Sequence, residues 1–406
     1  MIGTAPSVFD ADVPALTYTL GETPFEVYPR IRAAQRRAPM AVGPIGVEIL
    51  SYDLARTVLR DNRFRIPPGL HLAVQGITSG PLWDKFANSL LCMEGDAHQR
   101  VRGLVSRAFT PRATARLHET ITEVIGELVE RATASGRCDV VAEIARPYPV
   151  PIICALIGAP REDWQQFSLW ADDVFKAMSL NIGDDEQVVM TAWGELDAYV
   201  DDMVAERRRE LTDDLLSDLI RAEDGGDRLS ADELRMLVAG LLLAGTDTTR
   251  NQVAASIDVL CDHPEQWSLL RNRPELAMRA VDETMRHSPV VCGALRITTR
   301  DVELEGLVIP AGTLVMVNTF AANRDQAIYD DPETFDISRD DVPPILTFGG
   351  GLHYCLGANL ARLEVAEALV AMTRRLPSPR RDEPAPWKPM MGMSGPVTLP
   401  LEFTDA

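Results

Sequence analysis

The chain has 406 residues, 46% hydrophobic and 25% charged, an ordinary composition with ample length for a large core. Sixty acidic against 40 basic side chains give a net charge of −20, which argues against nucleic acid and anionic membrane surfaces as partners. Six scattered cysteines (92, 138, 154, 261, 292 and 355) form no CxxC pair and suit a reducing cytoplasm rather than a disulfide framework.

Length alone allows two or three domains. No fixed-period repeat, low-complexity tract or Gly/Ser linker divides the chain, so one mixed domain over 1–406 is expected, with a short extension at 1–23. Met1-Ile2-Gly3-Thr4-Ala5-Pro6 lacks the basic region and apolar core of a signal peptide. Val47–Leu50 reads as a strand leading into a helix from Tyr52 to Leu59. Phe64–Leu91, with Pro67-Pro68, Gly69, Gly76 and Gly80-Pro81, is irregular; a loop that long is usually functional or mobile. Helical periodicity then covers Ala113–Ala132, Glu162–Ser179, Val188–Glu210, Ser230–Asp262, Pro274–Arg286 and Ala358–Arg375. A strand pair is expected at Val302–Glu305 and Val308–Val317, turning at Gly306 and interrupted by Pro310-Ala311-Gly312.

Ser230–Asp262 is far longer than the mean helix of about 11–12 residues. Ser230 with Glu233 makes a capping box, and His263-Pro264 closes the far end. Met236–Leu243 is apolar on all sides and should cross the interior. The longest apolar run, Met236 to Gly245, is about half of the ~20 residues a membrane span requires, so a soluble, cytoplasmic protein is expected. Ala244-Gly245-Thr246-Asp247-Thr248-Thr249 follows. A carboxylate and hydroxyls inside a buried helix are costly unless used. Thr248 can bond back to the Ala244 carbonyl and bend the helix, which is one use.

Glu283 and Arg286 stand three apart on one helix face. The same spacing recurs at Glu206 and Arg209 in a charge-rich stretch that reads as a solvated surface. His98 and Arg102, at i and i+4 on one helix face, can also be read as a surface helix pair.

Phe348-Gly349-Gly350-Gly351-Leu352-His353-Tyr354-Cys355-Leu356-Gly357 precedes the last long helical pattern. Three glycines permit positive φ and close approach of the backbone to a flat, bulky ligand. A thiolate there is a soft metal ligand whose sulfur loop amides can tune. A phosphate loop would need Gly-Lys-Ser/Thr at the helix start. A nucleophilic cysteine would need a positioned base, of which the sequence shows no independent sign.

The decapeptide matches Phe-x-x-Gly-x-His-x-Cys-x-Gly at every fixed position, and on it the chain resembles a bacterial-type soluble cytochrome P450. The likeness runs from about Pro24 to Phe403. It implies a mainly α fold with a small β region (α+β), a long central helix over haem b, and Cys355 as the axial ligand of the iron. Phe348 and Gly349 belong to the same cofactor loop. His98, Arg102, Arg296 and His353 stand where family members hold the haem propionates, although Gly95-Asp96-Ala97 departs from the usual Pro-Pro-Glu. Asp247 and Thr248 match the pair that delivers protons to dioxygen. With Asp331-Pro332-Glu333-Thr334-Phe335-Asp336-Ile337-Ser338-Arg339 matching a later motif, Glu283, Arg286 and Arg339 would form a buried ionic cluster that serves folding.

By position, the substrate pocket would take in Gly240, Leu243, Ala244, Val291, Cys292, Ala294, Met391 and Met393, with Phe64–Leu91 as lid. The implied activity is insertion of one oxygen atom of O2 into an apolar small molecule. With no flavin or reductase segment in the chain, electrons are expected from a ferredoxin and its reductase. Arg107, Arg112 and Arg362 are expected to form its basic docking patch, and a monomer is expected. Two rival readings are a peroxide-driven peroxygenase and a haem protein that only binds a ligand; the intact Asp247-Thr248 pair disfavours both.

Overall fold

The computed structural model describes residues 5–403 apart from 20, 71, 179–181, 225–228, 341 and 377. In chain order its α-helices are α1 (Pro24–Gln35), α2 (Tyr52–Val58), α3 (Pro81–Ala87), α4 (Gly95–Ser106), α5 (Pro111–Thr114), α6 (His118–Ala132), α7 (Pro149–Ile157), α8 (Trp164–Phe175), α9 (Glu186–Arg207), α10 (Leu215–Asp224), α11 (Ala231–Cys261), α12 (Pro264–Asn272), α13 (Ala277–His287), α14 (Thr319–Ala322) and α15 (Ala358–Arg375). The periodicity placed α8, α9, α11, α13 and α15 to within a few residues. The helix expected from Ala113 begins instead at His118, because Pro111–Thr114 and a 3-10 turn over Ala115–Leu117 form its approach. The expected helix end at Ser179 lies outside the described residues. Phe64–Leu91 is irregular apart from β3 (Phe64–Arg65), a 3-10 turn at Ala73–Gln75 and α3.

The main sheet has strand order β1-β2-β8-β5-β3, built from β1 (Met40–Gly43), β2 (Gly46–Ile49), β3, β5 (Ala294–Thr298) and β8 (Leu314–Val317). Only the β2–β8 pair is parallel, with Val47 opposite Val315. The expected strand Val308–Val317 is two strands. β7 (Leu307–Ile309) turns back on β6 (Val302–Leu304), and Pro310 with Gly312, at φ +76°, redirects the chain into β8. A third pair joins β4 (Arg137–Asp139) to β9 (Pro400–Glu402). The described residues of the short extension expected at 1–23 lie against this framework: Val8 N donates to Val308 O (2.9 Å) and Leu16 N to Val42 O (2.8 Å).

α11 is the axis of the helical part, packed by α7, α8, α9, α13 and α15. Ser230 Oγ accepts from Glu233 N (3.2 Å) and Glu233 Oε2 accepts from Ser230 N (2.8 Å), the expected capping box. The apolar stretch Met236–Leu243 is not where α11 is fully enclosed: Met236, Gly240, Leu241 and Leu243 are only half-buried. Every residue from Asn251 to Leu260 is buried, including polar ones. Those are matched by partners: Ser256 Oγ donates to Thr284 Oγ1 (2.9 Å), and Asp258 accepts from Trp387 Nε1 (2.9 Å) and pairs with Arg381.

Glu364 of α15 is buried against α11, accepting from Thr249 Oγ1 (3.3 Å) through Oε2 while Oε1 has no partner. Burial pushes its carboxyl well above the usual range. The folded chain therefore keeps a proton that the unfolded chain releases, and stability falls as pH rises from the usual glutamate range upward. Glu364→Gln should flatten that slope by up to ~1.4 kcal/mol per pH unit. Urea unfolding midpoints compared between about pH 5 and 8 check this, and parallel slopes for the two proteins would contradict it.

Candidate active site

The cysteine loop is fixed from two sides. Cys355 N donates to Phe348 O (2.8 Å) and Gly349 N to Leu346 O (2.8 Å), folding the glycines into a tight return before α15. Gly351 has φ +66°, and a Cβ there would lie 2.5 Å from Leu59 O at the end of α2. The sequence assigned the glycines to ligand approach; at this position the crowding partner is the protein's own backbone. Cys355 is the exposed one among the six cysteines. Burial within the loop pushes its thiol up, opposed by the Gly357 amide and then by the Arg102 and Arg362 guanidiniums.

Next to the loop lies a set of donors with few acceptors. His98, on α4, is buried with both ring nitrogens unpartnered, and its ring sits 4.5 Å from that of His353. Arg102, one turn on, donates to Tyr354 O. Arg296, on β5, is buried, and its described hydrogen bond is to the neighbouring Leu295 O (2.9 Å). Burial and Arg102 hold His98 below its usual range. His353 is likewise lowered by burial, against Glu94, whose Oε1 lies 3.2 Å from its Nε2. Two guanidiniums and an orphaned imidazole in one recess call for an anionic, acceptor-rich partner. A soft thiol beside such a recess fits haem, with its iron and two carboxylates. Glu94 was missed by sequence; nothing in its local pattern distinguishes it from a surface acid.

On α11, Ala244 is exposed while Leu242, Thr246 and Asp247 are buried, so an internal opening adjoins one stripe of this helix. Thr248 Oγ1 donates to Ala244 O (2.6 Å), as expected, yet the helix continues unbroken through Ala231–Cys261. Asp247 is paired with Arg250, one turn on. Arg250 Nη1 reaches Asp172 Oδ1 of α8 (2.6 Å), and Asp172 pairs with the exposed Arg146. Asn251 Nδ2 donates to Asp247 O (2.7 Å), and Asn251 Oδ1 accepts from Lys388 Nζ (2.8 Å). The i,i+3 spacing of Asp247 and Arg250 was readable in the sequence; Asp172 and Lys388 were not.

Glu283, Arg286 and Arg339 do come together. Arg286 Nε and Nη2 donate to Glu283 Oε2 (2.7 Å) and Oε1 (2.9 Å), and Arg339 Nε to Oε1 (3.3 Å). Other expectations are redistributed. Cys292 sits in a core cluster with Leu16, Tyr18, Phe320 and Met390, so it is enclosed by the N-terminal segment instead of lining an opening. Ala294 packs on the β-sheet core and Met391 on the cluster around Cys292. Val291 and Met393 are half-buried. Arg107 and Arg112 are exposed, but Arg362 stacks on the Phe348 ring (4.6 Å) and donates to Asp282 Oδ1 (2.8 Å), so it is engaged and not a free patch cation.

The cytochrome P450 family profile matches residues 83–392. Luteothin monooxygenase of Streptomyces thioluteus is 34% identical over 402 residues, 98% of this chain and 97% of the relative. Mycinamicin IV hydroxylase/epoxidase of Micromonospora griseorubida is 37% identical, covering 88% of this chain and 90% of the relative. Among solved structures, CalO2 superimposes with a TM-score of 0.88 at 32% identity, covering 95% of this chain and 100% of the other. With the cysteine loop, the central helix and the buried ionic cluster in place, this chain belongs to the cytochrome P450 family and is a bacterial-type P450 monooxygenase.

Proposed function

We propose that haem b lies between α11 and the cysteine loop, held by the Cys355 thiolate, and that an apolar small molecule is oxidised at Ala244 and Thr248. The observation that carries this reading is the buried His98, with both nitrogens unpartnered, beside Arg102, Arg296 and the exposed Cys355 thiol. These donors would take the two propionates, and His353, bound to Glu94, would orient beside them. Haem bound here supplies dioxygen activation and transfer of one oxygen atom to the substrate.

The protein's own part is positioning and proton movement. Thr248 spends its hydroxyl hydrogen on Ala244 O, which turns its oxygen lone pairs outward as an acceptor beside the opening. Asp247 is held off that hydroxyl by Arg250, and the chain through Asp172 to Arg146 leads from the helix interior to the surface. Protons would be handed to Thr248 when Asp247 exchanges Arg250 for water. Electrons are expected from a ferredoxin and its reductase docking near the exposed Arg107 and Arg112, in the cytoplasm. No helix among the described residues is long and apolar enough to cross a membrane.

Thr248→Ala tests the proton role. In the presence of a compound that raises the haem spin state, it should keep consuming NADH with ferredoxin and reductase. Product per NADH should fall several-fold and hydrogen peroxide should rise to match. Asp247→Asn should slow NADH consumption itself. Product yield per NADH equal to wild type in Thr248→Ala would remove Thr248 from the proton path.

A further inference from the structure

A second opening lies away from the cysteine loop. α3, α9 and the first turns of α11 enclose about 740 Å³, with Met93, Met190 and Met236 among the lining residues. Methionine side chains make such a surface apolar and adaptable. Along α11, Gly240, Leu243, Ala244 and Thr248 are not buried and follow Met236 at helical spacing, with the half-buried Leu241 and Gly245 beside them. Steps of three and four keep to one face of a helix. The residues between them, Leu237, Val238, Ala239 and Leu242, are buried. A Cβ built on Gly240 meets nothing within 4 Å, so open space continues along the strip halfway between the cavity and Ala244.

We propose that this cavity is the outer end of a passage along α11, through which an elongated apolar molecule with a neutral or cationic polar end reaches Thr248. The inference rests on the placement of the reaction at Thr248 argued above. The charges at the mouth decide the polar end. Lys85 is paired with Asp197, Arg235 with Asp201 (2.7 Å) and Asp232 (2.6 Å), and Arg100 with Glu233. The exposed Asp84 carboxylate has no ion-pair partner among the described residues. The unneutralised charge at the mouth is thus acidic, and a carboxylate-tipped molecule is repelled where an ammonium-tipped one is drawn in. This steering is confined to about 8 Å at physiological ionic strength and should grow at low salt.

The test uses three probes with one iron-ligating head: imidazole carrying a dodecyl chain, and the same chain ending in a carboxylate or a trimethylammonium group. Stopped-flow absorbance of the haem-loaded protein gives association and dissociation rates without turnover. The parent protein must first show the thiolate signature of its reduced carbon monoxide adduct; its absence would overturn the assignment of Cys355 and not the passage. Met190→Trp, which fills the outer cavity, should slow association and dissociation of the dodecyl probe alike, by about tenfold, and leave Kd unchanged. Gly240→Phe narrows the strip from within and should also slow association, which keeps the test intact if the tryptophan variant fails to fold. Asp84→Lys should slow the trimethylammonium probe and quicken the carboxylate probe at low salt. Wild-type association rates in both Met190→Trp and Gly240→Phe would overturn the passage. So would a weakened Kd in Met190→Trp carried by dissociation alone, which would make the cavity a binding site off the route.

Discussion

Cys355→Ala is expected to abolish the strongly red-shifted Soret band of the dithionite-reduced carbon monoxide adduct. Cys355→His should retain haem weakly at best and lack the same band. Cys92, Cys138, Cys154 and Cys292 are buried, and Cys261 is half-buried. Burial pushes the thiols of Cys138, Cys154, Cys261 and Cys292 up to about 12, far from any pH at which they offer a thiolate. Burial also raises Cys92. Burial raises the Cys355 thiol as well, but among the six it alone combines exposure with a backbone amide and two guanidiniums that oppose that shift. The fold should survive the substitution, since the loop is closed by the Cys355 amide and not by its sulfur. Far-UV circular dichroism of Cys355→Ala should therefore match wild type while the band is lost. A red-shifted band persisting in Cys355→Ala would assign the iron to another residue.

Local signals were strongest where one element obeys one rule. α15 begins at Ala358 and ends at Arg375, as its periodicity reads, and the Ser230–Glu233 box sets the start of α11. α7 escaped because it has no polar face: Pro149, Val150, Ile152, Ile153, Cys154, Leu156 and Ile157 are all buried, so no 3.6-residue alternation marks it. The same limit misplaced the enclosed part of α11. Hydropathy pointed to Met236–Leu243, whereas enclosure depends on neighbours, and the polar members of the buried run Asn251–Leu260 are tolerated because α13 and the C-terminal segment supply partners. Site chemistry divided in the same way. Candidates carried by a short motif, Cys355 and the Asp247–Thr248 pair, are legible in the sequence. Glu94, Asp172 and Lys388 join the site through folding from distant segments, and no local pattern announces them. Arg362 was misjudged for a related reason: its sequence position suits a surface patch, but Phe348 and Asp282 claim its guanidinium.

Arg286→Met should destabilise the protein by about 3–5 kcal/mol, the range for breaking one side of a buried ion pair. Arg286 is 1% exposed and Glu283 5%. The guanidinium makes two bonds to Glu283 and further bonds to Pro332 O (2.8 Å), Thr334 O (3.0 Å) and Asn323 O (3.3 Å). Removing it leaves a buried carboxylate supported by Arg339 Nε and the Asp336 amide alone, and strips the Pro332 and Asn323 carbonyls of this donor, while Thr334 O keeps Arg339 Nη2 (2.9 Å). Arg286→Lys should rescue little, because one ammonium cannot serve two carboxylate oxygens and three carbonyls in a planar fork. The carboxylate and the carbonyls separate in a double-mutant cycle. Adding Glu283→Gln to Arg286→Met removes a carboxylate left with one weaker cation, Arg339, so the double variant should be more stable than the sum of the single losses predicts. Since α13 carries the pair and the chain after α14 supplies the carbonyls, loss of Arg286 should also loosen the approach to the cysteine loop and lower haem retention. Urea midpoints of the apoprotein and haem content after purification measure the two effects. A change below about 0.5 kcal/mol in Arg286→Met, the scale of an ordinary surface substitution, would refute the structural role of the cluster.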